Sequence, residues 1–123
     1  MLFRSARTAT LLPSSSVLEH FSDPHTALSV ACIEAHYFAN NSFFEEDELL
    51  KNMSMLKDIP GYIIHGRYDM ICPLEQAYAL HKAWDKADFF VVQGAGHSAG
   101  EPGISAALIE ASDGMLKKLG NMG

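Results

Sequence analysis

Asp69 and His97 are the residues of this chain whose types and spacing best fit chemistry, as the acid and the base of a nucleophilic catalytic site. In such a site the histidine takes the proton of a hydroxyl nucleophile, while a buried carboxylate fixes the histidine tautomer and stabilises the imidazolium. Asp69 ends the sequence HGRYD at 65–69, and His97 ends the sequence GAGH at 94–97. Alone, Asp69 would favour a helix cap and His97 an ordinary loop histidine, so the catalytic interpretation depends on their order and their scaffold.

The scaffold is predicted from two short apolar segments, at 62–65 and 89–92, each of which precedes one of the two residues. Neither segment alternates with polar residues, which predicts strands buried on both faces, as in a parallel sheet. Because parallel strands end at the same edge of a sheet, Asp69 and His97 are expected to meet there. The order also fits an α/β-hydrolase, in which the chain runs serine, acid, histidine.

The other elements are predicted to be helices. Asp23 is a suitable N-cap, Pro24 fits the first helical position, and apolar residues follow at helical spacing up to Phe38. An acidic start favours a second helix over about 45–57. Two further helices are predicted around the strands, at about 74–84 and 104–119.

The predicted fold class is therefore α/β: the C-terminal part of an α/β-hydrolase fold, with parallel strands and flanking helices, preceded by a helical cap segment. The expected division is an atypical N-terminal segment at 1–10, a helical cap-region segment at 11–57, and the catalytic-domain part at 58–123. Two strands make a poor sheet, since three or more are usually needed for independent stability.

The α/β-hydrolase interpretation leaves the nucleophile that would act with Asp69 and His97 unidentified. Residues 96–100, GHSAG, match the G-x-S-x-G pattern of a nucleophile elbow, which would make Ser98 the nucleophile. That role requires an acid and a histidine downstream, and no histidine follows Ser98. Ser98 is therefore interpreted as a neighbour of the base, and the chain alone is expected to be inactive.

Composition excludes several other classes. The net charge is −6, and the nine lysines and arginines are scattered, which argues against a nucleic-acid surface. No apolar run approaches the ~20 residues that span a bilayer, so no membrane partner is expected. No metal-ligand spacing and no glycine-rich phosphate loop is found, so neither a metal nor another cofactor is expected.

Two features of the sequence point to different cellular compartments for the protein. Two lone cysteines, Cys32 and Cys72, suit free thiols in a reducing compartment, and a cytoplasmic location is expected. Residues 1–18 contain arginine, serine and threonine but no acid, which resembles a mitochondrial transit peptide. The alternative, which we favour, is a non-native start of the chain.

Two residues have open roles on periodicity alone. Glu34 lies in an otherwise apolar helical stretch, where it either faces solvent or pairs with a cationic group in a cavity. Cys72 follows Asp69 by three residues and either lines the site or is a small buried hydrophobic residue.

Two parts of the sequence resemble the proline iminopeptidases (prolyl aminopeptidases), which are α/β-hydrolases. ACIEAHYFANNSFFE at 31–45 is similar to their cap region, and IPGYIIHGRYDMICP at 59–73 with GAGHS at 94–98 is similar to their C-terminal catalytic portion. The likeness covers roughly residues 11–116. It departs from the family at Cys32 and Ala35, where an arginine and an asparagine are usual.

The resemblance implies a cofactor-free serine aminopeptidase that releases N-terminal proline from peptides. Asp69 would be the triad acid and His97 the base. Glu34 would bind the amino group of the substrate proline, and Ile71 and Cys72 would lie at the pocket for its ring. The partners implied are a peptide with N-terminal proline and the missing N-terminal half, or a second copy of the chain.

Two alternatives stay open. An esterase or epoxide hydrolase would use Asp69 and His97 equally well, but a neutral ester needs no anion such as Glu34. A truncated, non-catalytic interaction module would use the open strand edges for association.

Overall fold

A computed structural model describes residues 8–120 of the chain. Residues 1–7, which are the first part of the segment 1–18 that resembles a transit peptide and most of the atypical segment 1–10, lie outside the described residues. The α-helices and strands in chain order are α1 (Ser15–Ser22), α2 (Pro24–Ala39), α3 (Glu48–Lys51), β1 (Gly61–Gly66), α4 (Leu74–Ala83), β2 (Ala87–Val92) and α5 (Pro102–Gly120). Two short 3-10 helices, Asn41–Phe43 and Met53–Leu56, flank α3.

The two strands form a parallel pair in register from Gly61 opposite Ala87 to Gly66 opposite Val92. Helix α4 connects them, and both α4 and α5 pack on the pair. The α/β class, with parallel strands and flanking helices, is thus confirmed, and it is that of a partial α/β-hydrolase fold.

Burial on both faces, expected of both strands, is only partly found among the described residues. Ile63 and Ala87 are buried, but Phe90 on β2 is 47% exposed. Its ring lies against Tyr62 of β1, at 5.9 Å between ring centroids. One face of this two-stranded sheet is therefore covered incompletely by residues 8–120.

Helix α2 begins as predicted. The Asp23 carboxylate accepts the N–H of Thr26 at 2.7 Å, and Pro24 occupies the first turn, where its missing N–H costs nothing. The helix packs on α1 and on the following 3-10 helix. Its apolar side chains are largely uncovered within residues 8–120, with Phe38 74% exposed.

The single helix predicted over 45–57 is wrong. Asp47 adopts a left-handed conformation with φ of 58°, so helical geometry starts only at Glu48. The Glu48 carboxylate accepts the N–H of Glu45 at 2.9 Å, which fixes that start. Asn52 then ends α3, because its side-chain amide donates to the carbonyl of Glu48 and its backbone leaves helical geometry.

The hydrophobic core is small. Its buried apolar members among the described residues are Met53, Ile63, Ala87, Ala95 and Ile104. No helix within residues 8–120 combines the length and the apolar character needed to cross a membrane.

Candidate active site

The loops that follow β1 and β2 lie against each other at the edge where both strands end. Arg67 N–H donates to the carbonyl of Val92 at 2.9 Å, and Tyr68 N–H donates to that of Ala95 at 3.0 Å. The approach is so close that a Cβ on Gly66 would collide with the carbonyl oxygen of Gly96. Glycine at 66 is therefore needed for this contact.

The loop contact brings Asp69 and His97 together. Nδ1 of His97 lies 2.9 Å from Oδ2 of Asp69, across 28 positions of sequence. The Asp69 side chain is 5% exposed, whereas that of His97 is 39% exposed. The acid is thus enclosed and the histidine open to an incoming group, as expected from strands that end at one edge.

Asp69 is held as an anion. Its other oxygen, Oδ1, accepts the N–H groups of Ile71 at 2.9 Å and Cys72 at 2.8 Å. Burial by itself raises the pKa of this carboxyl, but the hydrogen bonds from Cys72, His97 and Ile71 outweigh it, and the pKa lies below the ordinary value. An ionised Asp69 only accepts, so Nδ1 of His97 carries a proton, and in the neutral imidazole Nε2 holds the lone pair.

Nε2 of His97 has no hydrogen-bond partner within residues 8–120. A neutral imidazole with a free, solvent-facing Nε2 and an anion at Nδ1 can take a proton from a hydroxyl group. The arrangement is suited to general-base chemistry.

Ser98 does not have the geometry of that nucleophile. Strand β2 ends at Val92 and α5 starts only at Pro102, so Ser98 lies in a long loop and not on a sharp strand-to-helix turn. Its hydroxyl oxygen accepts the N–H of Gly100 at 3.2 Å. The interpretation of GHSAG as a chance match is supported.

Cys72 lies beside the pair. Its sulfur, a carboxylate oxygen of Asp69 and a ring nitrogen of His97 all lie within 4.8 Å of one another. Burial and the negative charge of Asp69 raise the pKa of the Cys72 thiol, which favours the protonated form. Metal binding by these three atoms would require the Cys72 thiol to lose its proton, which its raised pKa disfavours, whereas the short Nδ1–Oδ2 distance is that of a hydrogen-bonded pair.

The predicted substrate residues are only partly brought together. Ile71 and Cys72 come two and three positions after Asp69, and Ile71 is 42% exposed. Glu34 is exposed on α2, and its side chain makes no hydrogen bond or ion pair within residues 8–120. The structure therefore brings the acid, base and cysteine together, and the Glu34 side chain makes no hydrogen bond or ion pair with them.

Two residues at the site were not predicted from the sequence. Nε2 of His65 donates to the carbonyl of Cys72 at 3.0 Å and lies 3.6 Å from Oδ2 of Asp69. The Glu101 carboxylate is buried behind the loop that carries His97. The signal for His65 is its spacing of four from Asp69 across a turn; the sequence around Glu101 indicates only the start of a helix.

The sequence of this chain is similar to part of several known proteins. No family model matches the chain. It is 46% identical over 116 residues to the proline iminopeptidase of Xylella fastidiosa (strain Temecula1 / ATCC 700964), covering 94% of this chain and 37% of that protein. It is 54% identical over 93 residues to the one of Xanthomonas citri, covering 75% and 30%. It is 44% identical over 114 residues to the one of Arabidopsis thaliana, covering 92% and 30%. The chain thus spans about a third of the length of these curated relatives.

Proposed function

Because this chain is related to the proline iminopeptidases and matches about a third of their length, we propose that it carries the acid and the base of a serine aminopeptidase that releases N-terminal proline. The observation that carries the proposal is the 2.9 Å hydrogen bond between His97 Nδ1 and an enclosed Asp69, with Nε2 left open.

In the proposed reaction, Nε2 of His97 takes the proton of a serine hydroxyl as the serine oxygen attacks the prolyl carbonyl carbon. The bond to the leaving amine then breaks, and Nε2 returns the proton to that amine. Water hydrolyses the prolyl ester by the same route in reverse. Asp69 stays ionised and stabilises the imidazolium that forms in each step.

The serine is not Ser98, so the chain alone lacks the group that forms the acyl-enzyme. Acid and base without a nucleophile cannot run this route. We therefore expect no peptidase activity from the isolated chain, and activity when a segment with the serine is present.

Substrate selection is assigned to the residues after Asp69 and to α2. Ile71 and Cys72 border the acid–base pair and would contact the proline ring. Glu34, which is exposed and without an ionic partner among residues 8–120, would bind the amino group of the substrate proline. A charge-assisted bond of this kind would select peptides with a free amino terminus.

The test is a chimera in which the 93-residue matching region of the Xanthomonas citri proline iminopeptidase is replaced by the equivalent residues of this chain. We expect the folded chimera to hydrolyse proline naphthylamide. His97→Ala is expected to abolish hydrolysis, and Ser98→Ala, the matched control in the adjacent position, to retain it. A folded but inactive chimera, or loss of activity in Ser98→Ala, would contradict the proposal.

The same chimera separates proline specificity from general ester hydrolysis. Glu34→Gln removes the charge while preserving size and helix propensity. We expect proline naphthylamide hydrolysis to fall while hydrolysis of a neutral naphthyl ester is retained. Equal loss on both substrates would favour a structural role for Glu34, and no loss on either would favour the esterase alternative.

A second candidate function is that of a non-catalytic interaction module. It is favoured by the apolar side chains exposed on α2, among them Leu28 (66%), Ile33 (61%) and Phe38 (74%). Light scattering of the isolated chain tests it. A stable oligomer without hydrolase activity in the chimera would support this function over the first.

A further inference from the structure

We propose that Glu101 is a positioning residue for His97: its buried carboxylate ties the loop that carries the histidine to the separate segment at 9–11. The inference rests on the proposed role of His97 as the base. It concerns how that base is held and does not assign Glu101 a contact with substrate.

Glu101 is a buried acid, 9% exposed. No ion pair with a lysine, arginine or histidine is present for it within residues 8–120. A buried carboxylate without a cation must be satisfied by hydrogen bonds. The groups that donate hydrogen bonds to the Glu101 carboxylate therefore explain how it is accommodated in a buried position.

Both partners are backbone N–H groups, one on each oxygen. Oε1 accepts the N–H of Gly96 at 2.7 Å, and Oε2 accepts the N–H of Leu11 at 2.9 Å. Gly96 is the residue directly before His97. One carboxylate thus joins the catalytic loop to a segment 90 positions away in the sequence.

The same two segments are joined a second time. The carbonyl of Ala9 accepts the N–H groups of His97 at 3.0 Å and Ser98 at 2.6 Å. The backbone of His97 is therefore held from both sides, by Glu101 through Gly96 and by Ala9 directly. Gly96 also packs tightly here, since an added Cβ would lie 3.0 Å from the nitrogen of Leu11 and 3.3 Å from Oε1 of Glu101.

The backbone of Glu101 is held in place at the start of α5. Its N–H donates to the carbonyl of Ser98 at 3.1 Å, and its own carbonyl accepts the N–H of Ser105 at 2.9 Å, which starts α5. Ile104, in the first turn of that helix, is buried. The carboxylate is thus attached to a packed helix, so a change at its oxygens moves the loop and not the helix.

A carboxylate is needed because both donors point at oxygen. Glutamine has the same length but offers one oxygen, and its NH₂ group would face the second N–H as donor against donor. Aspartate keeps two oxygens but is one methylene shorter. Glu101→Gln is therefore the sharper change, and Glu110→Gln, at an exposed site on the same helix, is the matched control.

The experiment is proton NMR of the full chain, observing the proton on His97 Nδ1 that is hydrogen-bonded to Asp69. The signal is assigned by its loss in Asp69→Asn. We expect it to shift or disappear in Glu101→Gln, and to stay unchanged in Glu110→Gln, while circular dichroism shows both variants folded. An unchanged signal in folded Glu101→Gln would overturn the proposal.

If Glu101→Gln does not fold, the His97 proton signal is measured in Leu11→Pro instead. This change removes one of the two donors to the carboxylate, leaves Glu101 in place and alters a side chain that is 40% exposed. A shifted His97 signal in a folded Leu11→Pro supports the proposal, and an unshifted one overturns it. Because the readout needs no turnover, an inactive chimera with an intact Glu101 effect would contradict only the proposed function.

Discussion

His65 and Asp69 face each other across the turn that ends β1, with Nε2 of the histidine 3.6 Å from a carboxylate oxygen of the acid. The same Nε2 donates to the carbonyl of Cys72, which lies beyond the acid in the chain. His65 therefore closes the turn whose N–H groups hold Asp69. It is a second histidine at the acid, near the same Oδ2 that accepts the hydrogen bond from His97.

His65 is expected to stabilise this turn through its hydrogen bond to Cys72. His65→Leu removes the donor and leaves a partly buried carbonyl without its partner, which should lower the free energy of unfolding by about 1 kcal/mol. His65→Gln keeps a donor at similar reach and should lower it less. Urea denaturation measures both, and equal losses in the two variants would contradict a role for the hydrogen bond.

Asp69→Asn is expected to reduce turnover by the chimera by about 10⁴-fold with little change in the fold. The reason is the tautomer: an asparagine amide can donate to Nδ1, which would leave the proton on Nε2 and remove the base. Steady-state kinetics with proline naphthylamide provide the measurement. A variant that retained a tenth of the parent activity would show that Asp69 does not act on His97 in this way.

The stability of the chain should depend on pH through Asp69. Its pKa in the folded chain lies below the ordinary value of 3.8, so the unfolded chain binds the proton more tightly. The contribution is complete above about pH 4 and is lost as the pH falls through the lower pKa of the folded state. Asp69→Asn should flatten this acid-side loss in urea denaturation between pH 7 and pH 2.5.

The matched control for the pH series is Asp85→Asn, an exposed acid in the turn before β2. It should keep the acid-side slope of the parent chain. Parallel slopes for the parent and Asp69→Asn would contradict the assignment of the effect to the site.

The two cysteines should differ in reactivity. Cys32 is exposed, whereas Cys72 is partly buried and the charge of Asp69 helps to raise the pKa of its thiol. Since the thiolate is the nucleophile, iodoacetamide should label Cys32 first near neutral pH, and Asp69→Asn should accelerate labelling of Cys72. Peptide mass spectrometry gives both rates. An unchanged or slower Cys72 rate in Asp69→Asn would contradict the electrostatic cause.

The meeting of Asp69 and His97 could be predicted because it follows from topology alone: two parallel strands must end at one edge. The start of α2 could be predicted from the local chemistry of Asp23 and Pro24. The late start of α3 at Glu48 could not, because composition does not signal that Asp47 adopts a left-handed conformation.

The surroundings of Glu34 and Glu101 could not be predicted from the sequence, for a different reason. Periodicity does not decide which face of α2 is covered, since that depends on what packs against it. Glu101 gains its role from a partner 90 positions away, and a sequence pattern at 101–103 carries no trace of Leu11. Long-range partners of backbone groups leave no local signature.

The bond between Leu11 and Glu101 also bears on the order of folding. Closing a loop of 90 positions carries a large entropic cost, and contacts of such separation form late and slow the folding of small domains. Helix α2 and its caps depend only on near neighbours and can form early. The backbone around His97 is thus expected to reach its final position late in folding, after the pair of strands has formed.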